Sequence, residues 1–401
     1  MQAGIAAAQA TVTRPIALLS AAAFCVSSCL RITDPMLPLL AHDFRVSTGA
    51  ASVVVSAFTF AYSLSQLAFG PIGDRFGKYR VLCIAMALSA CAIAAGAAAQ
   101  SLRELAALRL LAGITTAGVL SLALAYVGDV VAYEHRQAVL ARVLSGQLLG
   151  VITGQAAGGI LIAFVSWRVV FLVLGGIFAC VSILLWRELR SGRVMQSHRS
   201  TPQPPGRIAA QYIALLMGRR SRIVLLAIFC EGLMFFGLLA FFAAYLRFRF
   251  ALDYVAIGAL LGCFGIGGLG YGLFAGRIVP ALGERGMMLT GGILLLLGLL
   301  LLSWMPVWGA DAPVMAMLGF GLYMVHNTLQ TNATQLAPEA RGAAVSLFNS
   351  CFFFGQAIGA GAIGFGVDRI GYRPMFMTIG LGLLVLCWWC AMKAAVRVAG
   401  R

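Results

Sequence analysis

Long apolar runs alternate with short polar segments along the whole chain. Twelve of these runs reach the length, about 20 residues, that a helix needs to cross the hydrocarbon core of a membrane. Backbone groups in lipid must be hydrogen-bonded within their own segment, so each run is predicted to be an α-helix. The predicted spans are 15–41, 49–71, 81–99, 103–127, 137–164, 167–187, 221–247, 254–279, 287–307, 311–336, 341–366 and 372–397.

The longest polar segment separates the sixth predicted span from the seventh. It runs from Arg187 to Arg222, is rich in arginine, and contains a Pro-rich stretch at 201–206 that is typical of linkers. Residues 208–217 are predicted to form a helix on the membrane surface. The chain is therefore divided into a first half (1–187), a cytoplasmic linker (188–220) and a second half (221–401).

The two halves carry related sequence at a constant offset of 205 residues. Matching positions are Glu134 and Glu339, Gly150 and Gly355, Gly154 and Gly359, and Trp167 and Tyr372. Such repeats are typical of secondary transporters, in which two bundles enclose a central site. We therefore predict an all-α membrane protein with twelve transmembrane helices in two pseudo-symmetric six-helix bundles.

Composition supports a membrane protein and indicates its orientation. Of 401 residues, 61% are hydrophobic and 10% are charged, and the mean hydropathy is +0.94. Most of the 29 Lys and Arg residues fall in the linker, the termini and the loops on the linker's side of the membrane. This asymmetry puts both termini in the cytoplasm, where anionic lipid headgroups are expected partners. No Lys/Arg-rich tract suggests nucleic-acid binding.

A charged, glycine-rich segment joins the second predicted span to the third. Glycine lets the backbone turn sharply, so the segment predicts a tight cytoplasmic turn in which Asp74 accepts hydrogen bonds from a neighbouring helix N-terminus. It resembles the G-x-x-x-D-R-x-G-R/K-K/R signature of the major facilitator superfamily, which implies a conformational gate. An ordinary turn is the alternative. The signature falls on Gly70, Gly73, Asp74, Arg75, Gly77, Lys78 and Arg80.

Ionisable residues inside predicted spans are the main candidates for proton coupling, because a charge at the membrane centre costs about 2.5–3.5 kcal/mol on insertion scales. Glu231 lies near the middle of the seventh span among uncharged neighbours. Desolvation favours a neutral carboxyl, so Glu231 is predicted to bind and release a proton. A permanently protonated Glu231 bonded to another helix is the alternative.

Two further ionisable positions resemble family elements. Asp34 precedes Pro35 and Pro38, which resemble the P-x-x-P element of the drug:proton antiporter branch, although a local salt bridge with Arg31 is also open. Arg109 resembles the arginine of an R-x-x-Q-G element, with Ala112 in place of the glutamine. The resemblance implies that Arg109 modulates nearby acids. The alternative is an arginine held only by backbone carbonyls.

A glycine stripe marks the fifth predicted span. Gly150, Gly154, Gly158 and Gly159 resemble the G-x-x-x-G-P-x-x-G-G pattern associated with export by antiport, but Gln155 replaces its proline. Close helix packing alone also explains the stripe. Other polar residues within spans are substrate candidates or links between helices: Arg31, Gln66, His326, Asn327, Asn349 and Gln356.

Taken together, the residues and the resemblance predict a transporter in the inner membrane of a bacterium. It is expected to act as a monomer and to export a small amphipathic compound by antiport against protons. A symporter that imports a metabolite and a non-transporting membrane receptor are the alternatives. No enzyme activity, cofactor or metal site is predicted, because no span or loop holds a nucleophile–base or metal-binding constellation.

Overall fold

The computed structural model describes residues 2–131, 133–192, 194, 205–337 and 341–399, which are almost entirely helical. Glu339 of the sequence repeat and most of the Pro-rich linker lie outside these residues. The first-half helices are α1 (Gln2–Arg31), α2 (Leu37–Asp43), α3 (Thr48–Ala51), α4 (Val53–Phe76), α5 (Lys78–Ala95), α6 (Leu102–Thr116), α7 (Val119–Val130), α8 (Tyr133–Ile162) and α9 (Trp167–Arg190). The linker holds α10 (Pro205–Met217), which covers the helix predicted at 208–217.

The second-half helices are α11 (Arg219–Glu231), α12 (Gly237–Leu239), α13 (Phe242–Phe250), α14 (Tyr254–Trp304), α15 (Asp311–Thr334), α16 (Arg341–Ile370) and α17 (Tyr372–Ala399). A π-helix, Gly232–Phe236, lies between α11 and α12.

Ten helices of the described ranges are long and apolar enough to cross a membrane, against the twelve predicted. The difference has two sources. Two predicted spans fall within the 51-residue α14, which consists of two helices that meet at Gly283, where φ is 60°. The span predicted at 311–336 corresponds to α15, which is 24 residues long but is polar from His326 and Asn327 towards its C-terminal end.

The loop predicted for the signature segment is too long. The helix α4 continues through Gly70 and Asp74 to Phe76, and α5 begins at Lys78. Gly77 alone makes the turn, with φ 93° and ψ 119°, a backbone conformation that side chains other than glycine rarely adopt. The signature is therefore the last turn of one helix and the first turn of the next.

Buried apolar side chains form two large clusters. One consists of residues between Ile16 and Leu185, and the other mostly of residues between Leu215 and Ala391. The clusters follow the two halves of the sequence.

Two helix pairs join the halves through glycine contacts. A Cβ on Gly364 of α16 would lie 2.9 Å from the Cα of Gly49 in α3, which leads into α4. A Cβ on Gly159 of α8 would lie 2.8 Å from the Cα of Gly258 in α14. Gly159 and Gly364 are related by the 205-residue offset, so the two interfaces are pseudo-symmetric.

The interface between the halves is closed at one end and open at the other. At the end that we call the Asp368 end, Asp368 of α16 contacts α3. At the opposite end, the Gly77 end, a cavity of about 600 Å³ lies between α4, α7, α10 and α16.

Candidate functional site

Glu231 is the last residue of α11 and is fully buried. Its Oε2 lies 3.3 Å from Nδ1 of His326 on α15, and the His326 ring contacts the rings of Phe352 and Phe236. The π-helix starts directly after Glu231, and π-helical turns are frequent at functional sites. Glu231 is therefore half of a titratable pair in an aromatic surrounding. The sequence analysis identified both residues and left His326 open as a substrate candidate or a link between helices.

Asp34 lies in the turn between α1 and α2, and its Oδ2 is 3.5 Å from Nη1 of Arg31. Both side chains are almost completely buried, at 1% and 2% exposure. This is the local salt bridge that the three-residue spacing allows. Gln155 of α8 lies beside Asp34, and neither atom of its amide has a hydrogen-bonding partner of normal geometry within the described residues.

Arg109 of α6 reaches across to α1 and is also 2% exposed. Its Nη1 donates to the Cys29 carbonyl at 3.2 Å and contacts Cys29 Sγ at 3.4 Å, and Nη2 donates to Thr33 Oγ1 at 3.4 Å. The guanidinium stacks on Phe58, 4.1 Å from the ring centroid, and interacts electrostatically with Asp34. Arg109 thus lies where it can influence Asp34.

One ring connects the charged groups of the two halves. Phe236, in the π-helix after Glu231, lies 4.7 Å from the Arg31 guanidinium and 6.1 Å from the His326 ring. A cation held over an aromatic face is attracted by the ring quadrupole. Phe236 is therefore a neighbour of both Arg31 in the first half and His326 in the second.

A layer of aromatic rings lies between these charged groups and the cavity. Gln66 and Asn349 line the cavity on α4 and α16. One helical turn farther from the Gly77 end, Tyr62 and Phe353 meet with ring centroids 4.6 Å apart, and one turn beyond Tyr62 is Phe58.

Of the other substrate candidates, Asn327 hydrogen-bonds Tyr271. Gln356 is fully buried, and its amide has no partner in the part of the chain that the structure describes.

The signature residues border the mouth of the cavity. Gly70, Asp74 and Lys78 line it, and Lys78 Nζ lies 2.6 Å from Asp129 and 3.2 Å from Asp74. Gly73 packs against the side chain of Leu122 in α7, whose Cδ2 a Cβ at this position would have to displace. Close approach is thus the role of Gly73, whereas Gly77 supplies the turn. Arg75 and Arg80 are exposed.

The glycine stripe of α8 packs against α1. A Cβ on Gly150 would lie 2.9 Å from the Cα of Phe24, and one on Gly154 would lie 2.9 Å from the Cα of Ser28. Gly158 contacts Ile32 in the same register, while Gly159 faces α14. In the second half Gly355 and Gly359 contact Phe229 and Leu233, so the partners of the stripe repeat at the same offset of 205.

Asp368 closes the other end of the molecule, and the sequence analysis missed it. Its Oδ2 accepts a hydrogen bond from Ser47 Oγ at 2.6 Å, and its Oδ1 accepts one from the Gly49 amide at 3.2 Å. A signal was present, because Asp368-Arg369-Ile370-Gly371 repeats the D-R-x-G of the signature. Gly371, like Gly77, has positive φ (82°) and joins two helices directly.

Comparisons with known proteins agree on one family. A family model described as the Major Facilitator Superfamily matches residues 19–360. The chain is 26% identical to an uncharacterized transporter, YgaY, of Escherichia coli O157:H7 over 89% of the chain and 90% of that protein. It is 28% identical to the uncharacterized MFS-type transporter YceJ of Bacillus subtilis (strain 168), over 85% of the chain and 86% of that protein.

The fold is also shared with a solved transporter structure. The crystal structure of a mutant of the nucleoside transporter NupG superposes with a TM-score of 0.77. It covers 94% of this chain and 98% of that one at 14% sequence identity.

Proposed function

The chain belongs to the major facilitator superfamily, and from this premise we propose that it exports a small amphipathic organic compound by antiport against protons. It is a secondary transporter rather than an enzyme. The observation that carries the proposal is the contact of the buried Glu231 with the partly buried His326, which Phe236 separates from Arg31 of the other half. Ionisable side chains inside a membrane are typical of proton relays.

The topology that we propose has twelve spans, with α14 counted as two and α15 as one. The Gly77 end and both termini face the cytoplasm of a bacterial cell, and the protein acts as a monomer in the inner membrane. Each half, residues 1–187 and 221–401, forms a six-helix bundle, and residues 188–220 link them on the cytoplasmic side. The concentration of arginine near this face supports the orientation.

In this orientation the structure has the inward-facing form of an alternating-access cycle. The cavity opens to the cytoplasm, and Asp368 holds the outer end closed through α3. We propose that Asp74 engages the N-terminus of α16 when the cavity closes. Asp74 lines the cavity opposite Gly342 and Ala343 of the first turn of α16, where the helix dipole favours a carboxylate.

In the proposed coupling step, Glu231 takes the proton. Its side chain is fully buried and lies 3.3 Å from Nδ1 of His326, a second group that can exchange the proton. Asp34 is the second acid, and Arg109 modulates it from α6. A substrate that hydrogen-bonds the Glu231 carboxylate competes with the proton for it, and this competition is antiport.

The proposal is tested by substrate-induced proton release from purified protein, using a compound that a thermal-shift screen of drugs, sugars and siderophores identifies. Wild type should release protons, and Glu231→Gln should not, although it keeps the shape of the side chain. Glu188→Gln is the matched control, because Glu188 is also buried but pairs with Arg14 near the Gly77 end. Equal release from wild type and Glu231→Gln would place the proton elsewhere, with Asp34 as the leading candidate.

Import by symport is the second candidate, and Gln155 is the observation that favours it, because the antiport pattern has proline there. Proteoliposomes with an imposed proton gradient separate the two. Substrate moving against the direction of the protons supports antiport, and substrate moving with them supports symport.

A further inference from the structure

The charges buried in the first half do not balance. Arg31 and Arg109 are each 2% exposed, and Asp34 is the carboxylate that both of them face. The other polar contacts of Arg109 are a carbonyl, a thiol and a hydroxyl, all neutral. Within the described residues, the Nε atoms of both arginines have no hydrogen-bonding partner. The group therefore carries one net positive charge.

Glu231 does not neutralise this charge. Its Oε2 contacts His326, and Cys387 is another neighbour, so the carboxylate faces groups of its own half. An uncompensated buried charge is strongly unfavourable, and a bound anion removes the imbalance.

The walls around the two arginines are aromatic and amide in character. Phe58 lies under Arg109, and Phe236 lies over Arg31. Gln155 lies beside Asp34, and its buried amide offers an N–H donor next to the arginines. Apolar walls with a few converging donors are typical of sites for small organic ligands.

We propose that Arg31 and Arg109 bind the acid group of an organic anion whose apolar body lies against Phe58 and Phe236. This rests on the proposed transport function in that the same central site carries the substrate. The anion enters from the cavity when the layer of Tyr62 and Phe353 separates.

The charge of the substrate changes the energetics of antiport. One proton moving in and one monovalent anion moving out transfer two positive charges inward. The membrane potential then contributes twice the free energy that it contributes to the movement of a single charge. Exchange of a proton for a monovalent cation transfers no net charge. Transport currents on a solid-supported membrane therefore report the class of substrate.

The first test is a charge series on one ring system: 1-naphthoate, 1-naphthalenemethanol and 1-naphthylmethylammonium. Binding is measured by thermal shift and equilibrium dialysis with protein-free micelles as the blank. Naphthoate should bind at least about tenfold more tightly than the other two, because one charge-assisted hydrogen bond accounts for that ratio. Equal binding of all three compounds would overturn the proposal, as would equal stabilisation by chloride.

The second test supplies the missing charge from the protein. Cys29 Sγ lies 3.4 Å from Arg109 Nη1, so Cys29→Asp places a carboxylate next to that guanidinium. Cys29→Asn is the matched neutral variant of the same size. Naphthoate affinity should fall at least about tenfold in Cys29→Asp relative to Cys29→Asn, and equal affinities would contradict the assignment.

These measurements are made at equilibrium without a gradient, so they do not depend on coupling. Anion binding without substrate-induced proton release would refute the antiport and leave the anion site standing. Proton release induced by a cationic or neutral substrate would refute the anion site and leave the antiport standing.

Discussion

Replacing Asp368 by asparagine should open the end of the molecule that this carboxylate closes. Asp368 joins the last turns of α16 to the short helix α3 of the other half, through Ser47 Oγ at 2.6 Å and the Gly49 amide at 3.2 Å. Asparagine keeps one acceptor oxygen, loses the charge, and turns an N–H₂ group towards one of the two donors.

The expected shift follows from these two bonds. A hydrogen bond to a charged group contributes about 1.5–3 kcal/mol and a neutral one about 0.5–1.5 kcal/mol. Ser47 and Asp368 are exposed, so the lower values apply. We expect a loss of about 1–2 kcal/mol, which changes the ratio of closed to open protein at this end about 5- to 30-fold.

Spin labels at His42 and Gly309 measure the opening, because both positions are exposed at the Asp368 end, one in each half. Distance distributions are compared in a background without accessible cysteines. The matched control is Asp253→Asn, because Asp253 accepts a hydrogen bond from the Ala256 amide at 2.7 Å entirely within the second half.

Asp368→Asn should add a population with a longer distance between the labels, and Asp253→Asn should not. Unchanged distributions in Asp368→Asn would refute the reasoning. The same shift in both variants would show that it arises from general loosening of this end.

Three further expectations concern stability and are measured by thermal unfolding in detergent. Gly77→Ala should lower the free energy of unfolding by about 1–3 kcal/mol because Gly77 has positive φ. Gly70→Ala, in an open helical position, should be neutral or stabilising by up to about 1 kcal/mol. Equal effects would contradict the assignment of the turn to Gly77. Gly150→Val should lower the free energy of unfolding by at least about 1–3 kcal/mol, because the valine side chain would meet the backbone of α1. Gly176→Val is the control, since a Cβ there meets nothing within 4 Å, and it should cost less than about 1 kcal/mol. Lys78→Gln should lose about 1–2 kcal/mol because it removes the cation that Asp74 and Asp129 share. An unchanged midpoint would show that these ion pairs contribute nothing to stability.

The helices were predictable from the sequence because the thickness of a bilayer fixes how long an apolar run must be. The predicted span 372–397 corresponds to α17 (Tyr372–Ala399), and 167–187 corresponds to α9 (Trp167–Arg190). The limits of the signature turn were not predictable in the same way. Polar residues suggested a loop over 70–80, but charged side chains at a helix end extend into water while the backbone stays helical.

The partners of the buried charges could not be predicted. Arg31 and Asp34 are three residues apart, so their contact followed from helix geometry. Glu231 and His326 are 95 positions apart on different helices. A hydropathy pattern gives the depth of a residue in the membrane but not the direction in which its side chain points, so nothing in the sequence joined this pair.

The repeat carried more information than the prediction used. An offset of 205 identified the glycines of α8 and α16, and it also relates their partners on α1 and α11, Phe24 with Phe229 and Ser28 with Leu233. The charged residues do not follow the offset, since Val26 and Leu239 stand at the positions that correspond to Glu231 and Asp34. Packing is therefore symmetric between the halves while the chemistry is not.

The positions of the buried charges along the chain also set the order in which the protein can assemble during synthesis. Arg109 finds its partners on α1 and α4, which leave the ribosome before α6, so this arginine docks as soon as its own helix is inserted. Glu231 enters the bilayer 95 residues ahead of His326 and is left without that partner until α15 is made. The nascent second half therefore passes through a stage at which Glu231 lies in the bilayer before His326 is present, a cost that Glu231→Asp, which keeps the acid, does not remove.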